Sequence, residues 1–147
     1  MIDTTKQSTF TTNDFEEMQW HDVIIHAMKF SGNYELRFDI DYIFKWIEPK
    51  AENEYYSFIT APCTLIFKNV HRLQINVELT EPFILQMDDI IREVHAKSGK
   101  QEYKWEIETQ QGEISLYSSG YEMYVRKIPT LVERLIADKK LIRNTSF

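Results

Sequence analysis

Residues Tyr34 to Trp46, YELRFDIDYIFKW, constrain the fold more than any other stretch. Tyr34, Leu36, Phe38, Ile40, Tyr42, Phe44 and Trp46 fall on one parity, and Glu35, Arg37, Asp39, Asp41 and Lys45 on the other. Side chains alternate faces along a strand, so this pattern predicts a long strand with one buried and one polar face. A helix would spread the same aromatics around its whole circumference.

The rest of the chain extends that reading. VIIHAMKF, Val23 to Phe30, is apolar on both parities, which suits a strand covered on both sides or sealed by the N-terminal arm. Ser31 to Asn33 marks a tight turn. YYSFITAPCTLIFKNV and RLQINVEL predict a hairpin turning over Lys68 to His71, with Pro62 at an edge or bulge and Leu73, Ile75, Val77 and Leu79 inward. Phe83, Leu85 and Met87 alternate as in a strand, whereas Ile90, Ile91 and Val94 fit one helix face. Asp88 to Lys97 is therefore open between strand and helix, and strand is preferred because the hairpins on either side need a neighbour. EYKWEIE turns Tyr103, Trp105 and Ile107 inward, TQQGE is a hairpin loop, and ISLYSSGYEMYVRK supplies further strands around Gly120.

At the ends, Met1 to Thr12 reads as a loose arm, and Asn13 with Glu16 matches a helix start. After Pro129, Thr130 is placed to cap a C-terminal helix over residues 130–142, with Leu131, Val132, Leu135 and Ile136 on one side. The 147 residues make one ordinary domain, 1–147. The expected fold class is mainly β: an antiparallel β-sandwich or flattened barrel, with a short N-terminal helix and a C-terminal helix.

Charge narrows the partners. The net charge is −6, with Lys and Arg interleaved among Asp and Glu, which disfavours nucleic acid and favours a basic protein partner. Cys63 is the one cysteine, so no intrachain disulfide and no multi-cysteine zinc site is expected. The start of the chain is polar and Thr-rich and no apolar run is long enough to span a bilayer, so a cytoplasmic location is expected, with no membrane partner. No cofactor or metal is implied.

Four features invite a chemical reading. His21 and His26 flank Asp22, but along a strand they point to opposite faces and share no metal, and the adjacent His21 and Asp22 make no dyad. Backbone satisfaction at a strand start explains them better than catalysis. Asp39 and Asp41 share a face about 7 Å apart, close enough for a cation or for acid–base work. Arg37 and Lys45 lie on that face too, so a solvated face with cross-strand ion pairs is favoured. Cys63, inside APCTL, lacks the helix start or basic neighbour that activates a thiol and reads as a small buried residue. Tyr55, Tyr56, Tyr117, Tyr121 and Tyr124 gather near loops and strand ends, where tyrosine with acid is the chemistry of protein interfaces.

WHD at Trp20 to Asp22, LRFDIDYIFKW at Leu36 to Trp46, APCTLIFKNV at Ala61 to Val70 and WEIETQQGEISL at Trp105 to Leu116 resemble a family of small uncharacterised bacterial domains. The likeness runs from Trp20 to about Pro129 and implies no activity. By size and charge alone, such domains are similar to the immunity partners of secreted toxins, and no site is transferred from them.

The first expectation is accordingly a protein-binding module and no enzyme, with Glu52, Glu54, Tyr55, Tyr56, Glu113 and Tyr121 on its contact surface. It would occlude a basic partner such as a toxin, with electrostatic steering. The alternative is a small-ligand-binding protein or hydrolase-like enzyme with a pocket around His21, Asp22, Asp39 and Asp41. A third reading is a subunit of a larger assembly, homo-oligomeric or otherwise, whose sign is an exposed apolar edge strand.

Overall fold

The structure, a computed structural model, describes residues 7–52, 54–95, 99–136 and 143–147. Its strands are β1 (Thr9–Thr11), β2 (Ile24–Ser31), β3 (Glu35–Ile47), β4 (Ser57–Lys68), β5 (His71–Val77), β6 (Leu85–Val94), β7 (Tyr103–Thr109), β8 (Gly112–Ser118), β9 (Gly120–Val125) and β10 (Thr130–Val132). They form a ten-stranded sheet in the order β1-β9-β4-β3-β2-β6-β7-β8-β5, with β10 on β4 beside β9. Every pairing is antiparallel.

The sheet folds over on itself. Phe67 of β4 and Trp105 of β7 stand far apart in strand order, yet their rings lie 5.5 Å apart. The core sits in this fold, built from the inward parity that the alternation of β3 and β7 announces. Leu36, Phe38, Ile40 and Tyr42 of β3 are buried, as are Tyr103, Trp105 and Ile107 of β7. Asp88 to Val94 is strand, as preferred.

Tertiary pairing overrides several local expectations. Thr9–Thr11 is no loose arm but a strand on β9, with Phe10 wholly buried. Thr12–Glu17 is a 3₁₀ helix capped by Thr11 and Asp14 rather than by Asn13 and Glu16. Arg92 clamps it, lying 4.6 Å from the Phe15 ring and 2.7 Å from Glu16. Thr130–Val132 is strand, because β9 leaves β4 at Cys63 and frees Phe58 to Thr60 to pair again. Residues 137–142 of the expected C-terminal helix lie outside the described residues. Pro62 falls in the gap between β9 and β10, where its missing N–H deprives no ladder. The expected β4–β5 hairpin is instead a crossover: β5 pairs with β8 at the far end of the sheet. Phe83 is exposed in a turn before β6, and Tyr34, in a turn with φ 58°, is also exposed. Among the described residues no helix is long and apolar enough to cross a membrane.

Gly112 at the β7–β8 turn has φ +141°, and a Cβ there would lie 2.0 Å from the Asn76 carbonyl oxygen. Gly112→Ala is expected to cost about 2–3 kcal/mol in urea unfolding, from strain plus loss of the β5–β8 approach.

Candidate functional site

A bulge builds an aromatic cluster at the end of β3. Between Ile43 and Lys45 the register of β3 on β4 slips by one residue. Trp46 then pairs with Phe58, on the face that carries Thr60, Pro62 and Thr64, and leaves the inward parity of Tyr42. There its ring meets Phe58 at 5.0 Å and Tyr56 at 5.9 Å, and His21 stacks on it at 5.8 Å with 16° between planes. Beside them opens a cleft of about 440 Å³ lined by Glu17, Gln19, His21, Tyr42, Lys45 and Trp46. The loop that follows carries Glu52, Glu54, Tyr55 and Tyr56, all exposed, and Tyr55 is 93% exposed.

Asp39 and Asp41 do not face solvent as an alternating-charge face would. Asp39 is wholly buried, capped by two arginines from distant sequence. Its Oδ1 accepts from Arg126 and Arg143 at 2.6 Å each, and its Oδ2 accepts from Arg143 at 2.5 Å and from the Ser146 N–H at 3.0 Å. Asp41 accepts from Arg143 at 3.0 Å and lies 2.7 Å from His26 Nε2. His26 shares the face of Asp41 by alternation, being two residues on from Ile24, which pairs with Asp41; the bulge that follows, where Ala27 pairs with Asp39, leaves His26 with no residue opposite it. Burial pushes the Asp39 carboxyl up, but hydrogen bonds from Arg143, Arg126 and the Ser146 N–H outweigh it and hold the carboxyl below its usual range. Every oxygen of both carboxylates is engaged, so the cluster is a lock that ties Arg143 and Ser146 onto β3.

The four residues of the alternative pocket therefore do not converge. His21 lines the cleft, with Asp22 3.6 Å from its Nε2, while Asp39 and Asp41 lie under Arg143. His21 also contacts the Asp88 carbonyl at 3.3 Å, the backbone role expected of it. Of the expected contact surface, Glu113 is exposed but sits on β8 between Glu108 and Asn76, well along the strand order from β4. Tyr121 is no surface residue: it is 3% exposed, its ring packs on Trp20 and Trp105, and its hydroxyl meets Met18 Sδ at 2.9 Å. Cys63 is buried, and burial pushes its thiol up to about 12, which leaves it protonated at neutral pH. Trp46, Arg126 and Arg143 escape a sequence reading, because a bulge moves the first and only tertiary folding delivers the others.

Among the described residues no group of three or more His, Cys, Asp or Glu side chains is arranged to hold a metal ion. Comparison of the chain with models of protein families, with curated proteins and with solved structures gives no match.

Proposed function

We propose that this chain is a protein-binding module that takes a basic partner on the Glu52–Tyr56 loop and the adjoining Trp46–His21 cleft. The observation that carries the reading is Tyr55, an aromatic 93% exposed beside exposed Glu52 and Glu54. A large ring held in water next to two carboxylates gains by docking, since tyrosine buries much area at small entropic cost. Tyr56 braces the platform against Trp46. The acidic loop steers a basic surface inward and the aromatic rings seat it. The resemblance to small bacterial domains, and through size and charge to immunity proteins, makes a toxin in the cytoplasm the partner of choice, neutralised by occlusion. The folded-over sheet supports a flattened barrel or sandwich as the rigid scaffold. The pocket reading is disfavoured by the engagement of Asp39 and Asp41 with arginine.

The test is capture of proteins from the host lysate on the full chain, at low and high salt, read by mass spectrometry. One basic protein in near-equal amount, weakened by salt, is expected. Its Kd should rise at least about tenfold for Tyr55→Ala/Tyr56→Ala, while the melting temperature stays put. No specific protein at either salt, or one held equally well by the double variant, sinks the proposal.

A further inference from the structure

The two arginines over Asp39 are held in different ways. Arg126 belongs to the sheet. It follows β9 directly, its N–H donates to the Pro62 carbonyl, and its guanidinium donates to Thr64 Oγ1 at 2.8 Å and to Asp39 Oδ1 at 2.6 Å. Arg143 comes from outside every strand. Asn144, Thr145, Ser146 and Phe147 after it are exposed. The segment 143–147 meets the sheet through the Arg143 guanidinium, the Ser146 N–H and the Phe147 ring, which lies 5.8 Å from Lys29 Nζ. A segment so exposed lifts at a smaller cost than the paired strands beneath it.

It lifts from a formed site. Asp39 and Asp41 share a face of β3, with the Ile40 carbonyl between them in sequence. Arg143 spans all three. Its Nη1 donates to Asp39 Oδ2 at 2.5 Å, its Nη2 to Asp39 Oδ1 at 2.6 Å and to the Ile40 carbonyl at 3.3 Å, and its Nε to Asp41 Oδ1 at 3.0 Å. This set fits a planar fork, whereas an ammonium group is a point charge that cannot span it. The site keeps its shape without Arg143. Arg126 stays on Asp39, His26 Nε2 lies 2.7 Å from Asp41 Oδ2, and the backbone is fixed by pairing of Asp39 with Thr64 and Asp41 with Pro62. Asp39 is wholly buried, and its Oδ2 loses both Arg143 and the Ser146 N–H when the segment leaves. The opened site therefore favours a replacement guanidinium.

We infer that Asp39, Asp41 and the Ile40 carbonyl form an arginine receptor, which Arg143 fills in cis and which takes the arginine of another chain in trans. The Ser146 N–H supplies a backbone donor three residues after the arginine, so the ligand is an arginine within a peptide. Tethering presents Arg143 at an effective concentration of roughly millimolar, and an incoming arginine competes against it. None of these residues belongs to the Glu52–Tyr56 loop or the Trp46 cleft, so the inference stands apart from the proposed function.

The probe is a synthetic peptide of residues 143–147, RNTSF, titrated into the isotope-labelled full chain and followed by NMR. Arg143→Ala leaves Arg126 on Asp39, and its folding is checked by circular dichroism. This variant should bind the peptide saturably, and should bind the same peptide carrying Arg143→Lys at least about tenfold more weakly. Adding Asp39→Asn to the variant should weaken binding by a similar factor. In wild type the peptide has to displace the resident arginine, so its Kd is expected at least about tenfold higher than for Arg143→Ala. The Ser146 amide signal of the chain should move as its acceptor is taken. This arm decides the matter by itself where Arg143→Ala does not fold. An unmoved Ser146 signal at the highest soluble peptide concentration overturns the inference. So does equal binding of the arginine and lysine peptides, binding that survives Asp39→Asn, or equal affinity for wild type and Arg143→Ala.

Discussion

Trp105→Ala is expected to remove about 3–5 kcal/mol of stability, a large share of what an ordinary domain possesses. The indole is wholly buried and ties together elements that strand order keeps apart. Its ring lies 5.3 Å from Phe15 of the 3₁₀ helix, 5.5 Å from Phe67 of β4, 5.5 Å from Tyr121 of β9 and 5.4 Å from Tyr103 of β7. The void left by alanine is walled by rings held from four elements, so it collapses poorly and the cavity contribution is near its maximum. Trp105→Phe should lose less than half as much. It retains most of the contact area and removes an indole N–H that has no hydrogen-bond partner among the described residues. Urea unfolding followed by far-UV circular dichroism separates the two. A Trp105→Ala chain unfolding at the wild-type midpoint would mean that the sheet does not close around this ring.

The same residue marks how far sequence carries. Tyr103, Trp105 and Ile107 are legible as core because period-two alternation is a local property of the chain, and nothing in β7 interrupts it. The first part of β3 is legible for the same reason, up to the bulge at Phe44. Past it, parity no longer reports the face: Trp46 reads as inward and stands on the other side. Met28 moves by the same device in β2, from the parity of Ile24 to a pairing with Phe38 on the core face. A bulge of one residue leaves no trace in composition, so the place of Trp46 in the candidate site is invisible beforehand. The β4–β5 crossover is likewise hidden, since a short turn between two alternating strands has the same pattern whether they pair or part. The acidic tyrosine loop of Glu52 to Tyr56 is the portion of the site that sequence does locate, because a polar run between strands is exposed almost wherever the strands go. Tyr121 fails that logic: Gly120 puts it one residue into β9, where its parity faces the core.

Asp39 is where charge patterning misleads most, and it carries the second large effect. Removing both of its cations, by Arg126→Ala/Arg143→Ala, strands a wholly buried carboxylate and is expected to cost about 3–5 kcal/mol. Adding Asp39→Ala to that pair should recover most of the loss, because the penalty belongs to the unpaired charge and not to missing packing. The pH dependence follows from the same geometry. In the folded chain the Asp39 carboxyl is held below its ordinary value by Arg143, Arg126 and Ser146, against the opposing effect of burial. A carboxyl depressed on folding contributes stability that is fully present above its unfolded value of about 3.9 and is lost as pH falls from there through the folded value. Wild-type stability should therefore fall in acid more steeply than that of Asp39→Asn, and the two curves should run parallel near neutrality. Exchange of the Ser146 amide should quicken together with the loss in both Asp39→Asn and the arginine variants, since Asp39 Oδ2 is its acceptor. If the acid limbs of wild type and Asp39→Asn coincide, the arginines are not holding a buried charge and the lock is a neutral contact.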